Sequence, residues 1–264
     1  MSDLSGREEN RYGSLEKMSL HFSGNRALVL GGTCELALTL AQSMIESDLF
    51  PILTYRDDKG LKAIGEVLRP FQGRYATCFL NFGDRDSLES VFSQIGDDLN
   101  FLVDFAQGNY ENLIAGADED SVYRYFTENI SSRAEILKKV GRAMLKKRKG
   151  RLVFISSAAA VRPNPGQGFY AAAKLASEAL YRNMGLELGE RGVTTVILRP
   201  GYINAGRGRI YLQKQNRKIL DAVPIKRAIT GEEIAQTVLF LLSEGAAGIN
   251  AVEITMDGGH TSGK

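Results

Sequence analysis

Cysteine, histidine and net charge are all scarce in this chain. Cys34 and Cys78 are the only cysteines. One pair at that spacing makes neither a disulfide framework nor a metal site, so no metal is expected and a reducing, cytoplasmic setting fits best. His21 and His260 lie near opposite ends, and neither reads as a ligand. A formal net charge of +2 is too small to argue for nucleic acid. No apolar run reaches about 18 residues, so no membrane span is expected. Residues 1–22 are polar and lack the apolar stretch of a signal peptide. They read as a mobile tail or surface arm, with the folded domain over 23–264.

What is present is a globular composition, 44% hydrophobic and 24% charged, in 264 residues. That is long enough for a large core. Short apolar runs read as strands at 25–30, 51–54, 75–80, 101–105, 151–155, 193–198 and 251–255. Helical spacing falls between them, at 35–47, 61–68, 87–95, 118–147, 170–188 and 231–242. Near-continuous apolar strands mean a sheet covered on both faces. The pattern predicts one α/β domain of the Rossmann type, doubly wound, with about seven parallel strands and helices on both faces. Ligands in such sheets bind beyond the carboxyl ends of the strands.

One stretch concentrates the chemistry. Ser157 ends a strand, a Pro- and Gly-containing loop follows, and Tyr170 and Lys174 stand four apart on a helix, hence on one face. A phenol is a poor acid at neutral pH, and a nearby ammonium favours its phenolate. Tyr170 can then exchange a proton with a carbonyl oxygen while the Ser157 hydroxyl steadies the same oxygen. A hydride must come from a nicotinamide cofactor.

With these residues in view, the chain resembles the short-chain dehydrogenase/reductase family from about residue 22 to 260. Tyr170-Ala-Ala-Ala-Lys174 matches the family's active-site motif, with Ser157 thirteen residues earlier. Asn129 matches the helix asparagine that helps hold the lysine through water. Pro200-Gly201 and Asp257-Gly258-Gly259 match two further signatures. Within the family the chain is most similar to 3-oxoacyl-[acyl-carrier-protein] reductases.

The resemblance implies a catalytic set of Asn129, Ser157, Tyr170 and Lys174. It implies cofactor contacts from Gly31, Thr33, Glu35 and Leu36 after the first strand, and from Tyr55 and Arg56 after the second. Asn81 and Phe82 follow the third strand, and Phe105, Ala106 and Gln107 the fourth. Tyr170, Lys174, Pro200, Gly201 and Ile203 complete that set. Arg56 stands where NAD-preferring members carry an acid, which favours NADPH through its 2′-phosphate and leaves NAD open. Arg148 and Arg191 match positions that hold an acidic acyl carrier protein. Residues 202–220 form the expected substrate lid, with Gly206, Gly208, Arg207, Arg209, Lys214, Arg217 and Lys218.

The chain also departs from the family. Where the family has Thr-Gly-x-x-x-Gly-x-Gly, it reads Leu30-Gly31-Gly32-Thr33-Cys34-Glu35-Leu36-Ala37. Glu35 therefore replaces a glycine beside the pyrophosphate, and an orientation away from that group is expected. The Asn-Asn-Ala-Gly stretch is Asp104-Phe105-Ala106-Gln107, and Ala205 replaces a threonine. Cys34 reads as a small buried filler. The expected function is an NADPH-dependent reduction of a keto group, on an acyl-carrier-protein-linked or small-molecule substrate. The alternatives are a cofactor-poor binding or regulatory protein, and a dehydrogenase of another alcohol. A homotetramer or homodimer is expected, from family likeness and from apolar residues beyond one core-facing stripe: Ile136, Val140 and Met144 against Ala179, Met184 and Leu188.

Overall fold

The computed structural model describes residues 19–215 and 218–262. Residues 1–18 and Arg217 lie outside that range. Seven strands form one sheet in the order β3-β2-β1-β4-β5-β6-β7. They are β1 (Arg26–Leu30), β2 (Phe50–Tyr55), β3 (Ala76–Phe79), β4 (Phe101–Asp104), β5 (Gly150–Ile155), β6 (Val193–Pro200) and β7 (Val252–Met256). Every pairing is parallel. The doubly wound fold expected from sequence is what the chain adopts.

Successive residues of β1 serve opposite faces, as a pleated strand requires. Ala27 and Val29 join one core with α1 (Glu35–Glu46), α2 (Asp58–Val67) and α8 (Gly231–Leu242). Leu28 and Leu30 join the other, with α3 (Arg85–Ile95), α5 (Ser132–Lys147) and α6 (Gly168–Leu188). A third, small core of Leu212, Leu220 and Val223 supports the segment after β6, which contains α7 (Gly206–Lys214). Thr230 and Glu233 form a reciprocal capping box at the start of α8. Among the described residues no helix is long and apolar enough to cross a membrane.

Three expectations need correction. Leu20 and Phe22 pack against the first core, and the Phe22 ring meets Phe101 edge-on at 6.3 Å. Residues 19–22 therefore belong with the folded domain. The single helix expected over 118–147 is instead α4 (Glu119–Phe126), a π-turn over Thr127–Ser131, and α5. Ile136, Val140, Met144 and Met184 are core residues, not a spare stripe. The exposed apolar side chains on this side are Leu113, Ile114, Tyr123, Leu175 and Leu186.

The chain switches direction between β1 and β4, the point where such sheets open a crevice. Gly31 ends β1 with φ +69°, and a side chain there would lie 2.9 Å from the Ala106 backbone nitrogen. Only glycine fits both the angle and the approach. Its N–H donates to the Thr54 hydroxyl at 3.0 Å, which ties the turn to β2.

Candidate active site

Ser157 follows β5 and caps a single tight turn, its Oγ accepting from the Ala159 N–H at 3.1 Å. Its hydroxyl lies close enough to the Tyr170 phenol to pull that phenol's pKa down. Tyr170 lies in the first turn of α6 and Lys174 in the next. Lys174 is 2% exposed. Its Nζ donates to the Ile155 carbonyl at 2.7 Å and sits 4.8 Å above the Phe154 ring and 5.8 Å from that of Tyr170. Serine, tyrosine and lysine thus meet in one place, as their spacing predicts.

The electrostatics differ from the simple expectation. Burial, aided by the Arg133 guanidinium, lowers Lys174 to about 7. Burial pushes the Tyr170 phenol above its ordinary value, while Ser157 and then Arg207 pull it back. In this arrangement Arg207, and not Lys174, is the cation that favours the phenolate. A desolvated lysine that has half shed its proton is a weak source of positive field.

Behind this trio lie two buried networks that sequence reading missed. Arg133 donates to Asp104 at 2.7 Å, to Ser177 at 3.0 Å, and to the carbonyls of Asn129 and Ala106. Tyr181 donates to the same Asp104 carboxylate at 2.9 Å. Both charges are fully buried, so each depends on the other. Glu178 accepts from Ser156 at 2.5 Å and from Arg199 Nε at 2.8 Å.

Asn129 sits inside the π-turn, a feature often found at functional sites. Its amide accepts from the Gly108 N–H at 2.8 Å and donates to the Tyr125 carbonyl at 2.7 Å. It therefore braces the loop after β4. Its own carbonyl, where the family likeness calls for a water, receives Arg133.

Ser157, Tyr170 and Lys174 border a cleft of about 430 Å³ at the carboxyl edge of the sheet. Of the residues named from sequence, Leu36, Phe105, Gln107, Ser157, Tyr170, Lys174, Pro200, Gly201 and Ile203 line it. Gly31, Thr33 and Ala106 lie beside it at the ends of β1 and β4, and Tyr55, Arg56, Asn81 and Phe82 at the ends of β2 and β3. Asn81 is engaged locally, accepting from the Gly83 N–H at 3.1 Å. Asp57 caps α2 through the Gly60 N–H at 2.7 Å, so the nearest acid after β2 is already occupied. Arg56 is exposed at that strand end.

Four placements add to the sequence reading. Cys34 is an exposed cleft-wall residue, not a buried filler. His260 also lines the cleft, 5.0 Å from the Tyr202 ring, with Nδ1 buried and unpartnered among the described residues. Glu35 turns away from the β1 turn, as expected, and stays exposed. It reaches the lid, accepting from the Gly206 N–H at 2.8 Å and pairing with Arg209. Arg148 and Arg191 stand before β5 and β6, at the edge of the sheet away from Ser157. The six residues of β5 put about 20 Å between them and the cleft.

The family model described as enoyl-(acyl carrier protein) reductase matches residues 34–261. A solved structure of a short-chain dehydrogenase/reductase family protein superposes with a TM-score of 0.81 at 26% identity, covering 92% of this chain and 100% of that one. The chain belongs to the short-chain dehydrogenase/reductase family. It is similar to the 3-oxoacyl-[acyl-carrier-protein] reductase of Haemophilus influenzae, at 30% identity over 89% of this chain and 98% of the relative. The Escherichia coli K12 protein of the same description is 31% identical over 91% and 98%.

Membership in this oxidoreductase family implies a nicotinamide dinucleotide. The residues present fit one in most respects. Gly31 keeps the tight turn after β1, and side chains at Gly31, Gly32 or Gly201 would strike neighbouring atoms at under 3.0 Å. Tyr170, Lys174, Pro200 and Gly201 border the same cleft. The misfit is Glu35, which begins α1 beside the turn that would carry the diphosphate and puts a carboxylate on the neighbouring lid.

Proposed function

We propose that the protein is an NADPH-dependent carbonyl reductase that converts a keto group to a hydroxyl, on a 3-oxoacyl group carried by an acyl carrier protein or on a related ketone. The observation that carries this reading is the convergence of Ser157, Tyr170 and Lys174 on one cleft. The similarity to 3-oxoacyl-[acyl-carrier-protein] reductases supports the substrate class.

When bound, the nicotinamide supplies the hydride to the carbonyl carbon. The chain's own residues manage the oxygen. Ser157 donates a hydrogen bond to it, and Tyr170 delivers the proton as negative charge grows there. Oxygen and phenol are then balanced, with the alcohol formed and a phenolate left on Tyr170. Lys174, 5.8 Å from the Tyr170 ring, returns a proton to that phenolate, a task suited to a group lowered to about 7. Arg207, above the cleft, adds to the stabilisation of the phenolate. Arg56 is the residue we assign to the 2′-phosphate, since Asp57 is committed to its cap.

Exposed apolar side chains on α4 and α6, Tyr123, Leu175 and Leu186 among them, support a homodimer or homotetramer. A cytoplasmic location belongs to the same reading. The test is loss of reduced-nicotinamide absorbance with a 3-oxoacyl thioester, using NADPH and NADH in parallel. Oxidation of NADPH coupled one-to-one to hydroxyacyl product supports the assignment. Tight NADPH binding with no turnover of any keto substrate would sink it.

A further inference from the structure

Glu35, a residue at which this chain departs from its family, and the Gln107 backbone are bonded to the same lid. Glu35 Oε2 accepts from the Gly206 N–H at 2.8 Å, and Oε1 pairs with Arg209. The Gln107 carbonyl faces Arg207 Nη2 at 3.4 Å. Helix α7 is therefore tied across the cleft, by Arg209 to the α1 side and by Arg207 to the β4 side. Gly206 has φ +48°, a left-handed backbone that favours glycine, and this lets the chain turn into α7 with its first N–H on the Glu35 carboxylate.

A carboxylate and a diphosphate take the same donors. Guanidinium pairs with either bidentately, and a backbone N–H donates to either. Glu35 begins α1, directly after the Gly31 turn, so a diphosphate in that turn meets its charge. Glu35 and Arg209 are both less than half exposed, at 43% and 44% of their side chains. An ion pair that wet is weak enough to exchange.

We propose that Glu35 and Arg209 form an exchangeable pair that the diphosphate of an incoming dinucleotide must break, with Arg209 and the Gly206 N–H passing from the carboxylate to the diphosphate. This rests on the dinucleotide reading above. Arg209 is then a cofactor-binding residue carried in by the lid. Glu35 is a specificity-setting residue: it lowers affinity for any ligand with a diphosphate and holds α7 until such a ligand arrives.

The test titrates NADPH and NADH into the wild type, Glu35→Gln, Arg209→Met and Arg209→Lys by calorimetry. Amide exchange over 206–214 is followed in each protein without nucleotide. In Glu35→Gln, exchange over α7 speeds up and NADPH tightens about three- to tenfold, the scale of one exposed ion pair and its hydrogen bond. In Arg209→Met, exchange speeds up equally but NADPH weakens by a similar factor. Arg209→Lys falls between. The opposite signs are the signature of transfer. If Arg209→Met tightens NADPH as Glu35→Gln does, Arg209 is only a tie and the proposal fails. Unchanged exchange over α7 in Glu35→Gln also overturns it. Failure of all four proteins to bind either nucleotide, each showing a cooperative melt, brings down the dinucleotide reading, and the exchange goes with it.

Discussion

Lys174 Nζ gives its hydrogen bond to the carbonyl of Ile155, 2.7 Å away, and to no carboxylate. Of the buried carboxylates that act on it, Asp104 is paired with Arg133 and Glu178 with Arg199. Burial, with the Arg133 charge added and no full carboxylate partner to offset it, lowers this lysine from an ordinary 10.5 to about 7. Between those values the unfolded chain holds a proton that the folded chain has shed, so stability rises with pH. The lysine's contribution is unfavourable and fully present below about 7. Cys78, raised from 9.0 to about 12, acts in the opposite direction above its unfolded value. The clean window is therefore from about pH 7 to 9. Denaturant unfolding should show stability rising across it, and Lys174→Met should flatten the rise. A wild-type profile that falls across that window would contradict the burial argument.

Tyr170→Phe should remove the proton donor and keep the shape. Turnover should drop by about 10²- to 10⁴-fold, the usual size of a general-acid contribution. NADPH affinity should change little, because the phenol acts on the substrate oxygen. Single-turnover kinetics with a matched binding titration separate the two quantities. A near wild-type kcat would remove Tyr170 from the mechanism.

Arg56→Ala should weaken NADPH by about 1.5–3 kcal/mol, the scale of a charge-assisted hydrogen bond. NADH, which lacks the 2′-phosphate, should bind as before. Equal loss for both nucleotides would show that Arg56 shapes the strand end and does not read the phosphate.

Arg133→Met should be the most damaging single change among the buried charges. It leaves the Asp104 carboxylate enclosed with only the Tyr181 hydroxyl and the Ala106 N–H. Breaking a buried pair from one side costs about 3–5 kcal/mol. The double variant Asp104→Asn/Arg133→Met should recover part of that loss. Urea melts of Arg133→Met, Asp104→Asn and the double variant measure the coupling, and strict additivity would mean the pair is not a unit.

Light scattering should give a mass near twice or four times the 28.9 kDa chain. Tyr123→Lys, at a side chain 77% exposed, should lower it. A purely monomeric wild type at micromolar concentration would refute the assembly.

The strands, the helices between them and the reacting trio were legible because each rests on local spacing. Ser157, Tyr170 and Lys174 lie within one short stretch, and a four-residue step fixes the face they share. The Asp104–Arg133–Tyr181 network was not legible, because its members are 29 and 77 residues apart and no periodicity links them. The same holds for Glu35, whose partners on α7 lie 171 and 174 positions later. Its family position gave it a hypothetical neighbour, the diphosphate. Tertiary folding supplied a different one. His260 was passed over for a similar reason, since nothing near the chain's end signals that the final turn folds back onto the cleft.

The π-turn over Thr127–Ser131 puts one extra residue into a helix that would otherwise run straight from α4 to α5. Each residue of a helix advances the direction of its side chain by about 100°. Everything after the turn is rotated by that amount relative to everything before it. Tyr125 thus faces Gln107 at the edge of the cleft, while Ile136 and Val140 face the sheet. A regular helix would have to aim one continuous stripe at both. Deleting a single residue from this turn should therefore act like a twist of a key: either the loop after β4 loses its brace at Asn129, or α5 presents the wrong face to the core.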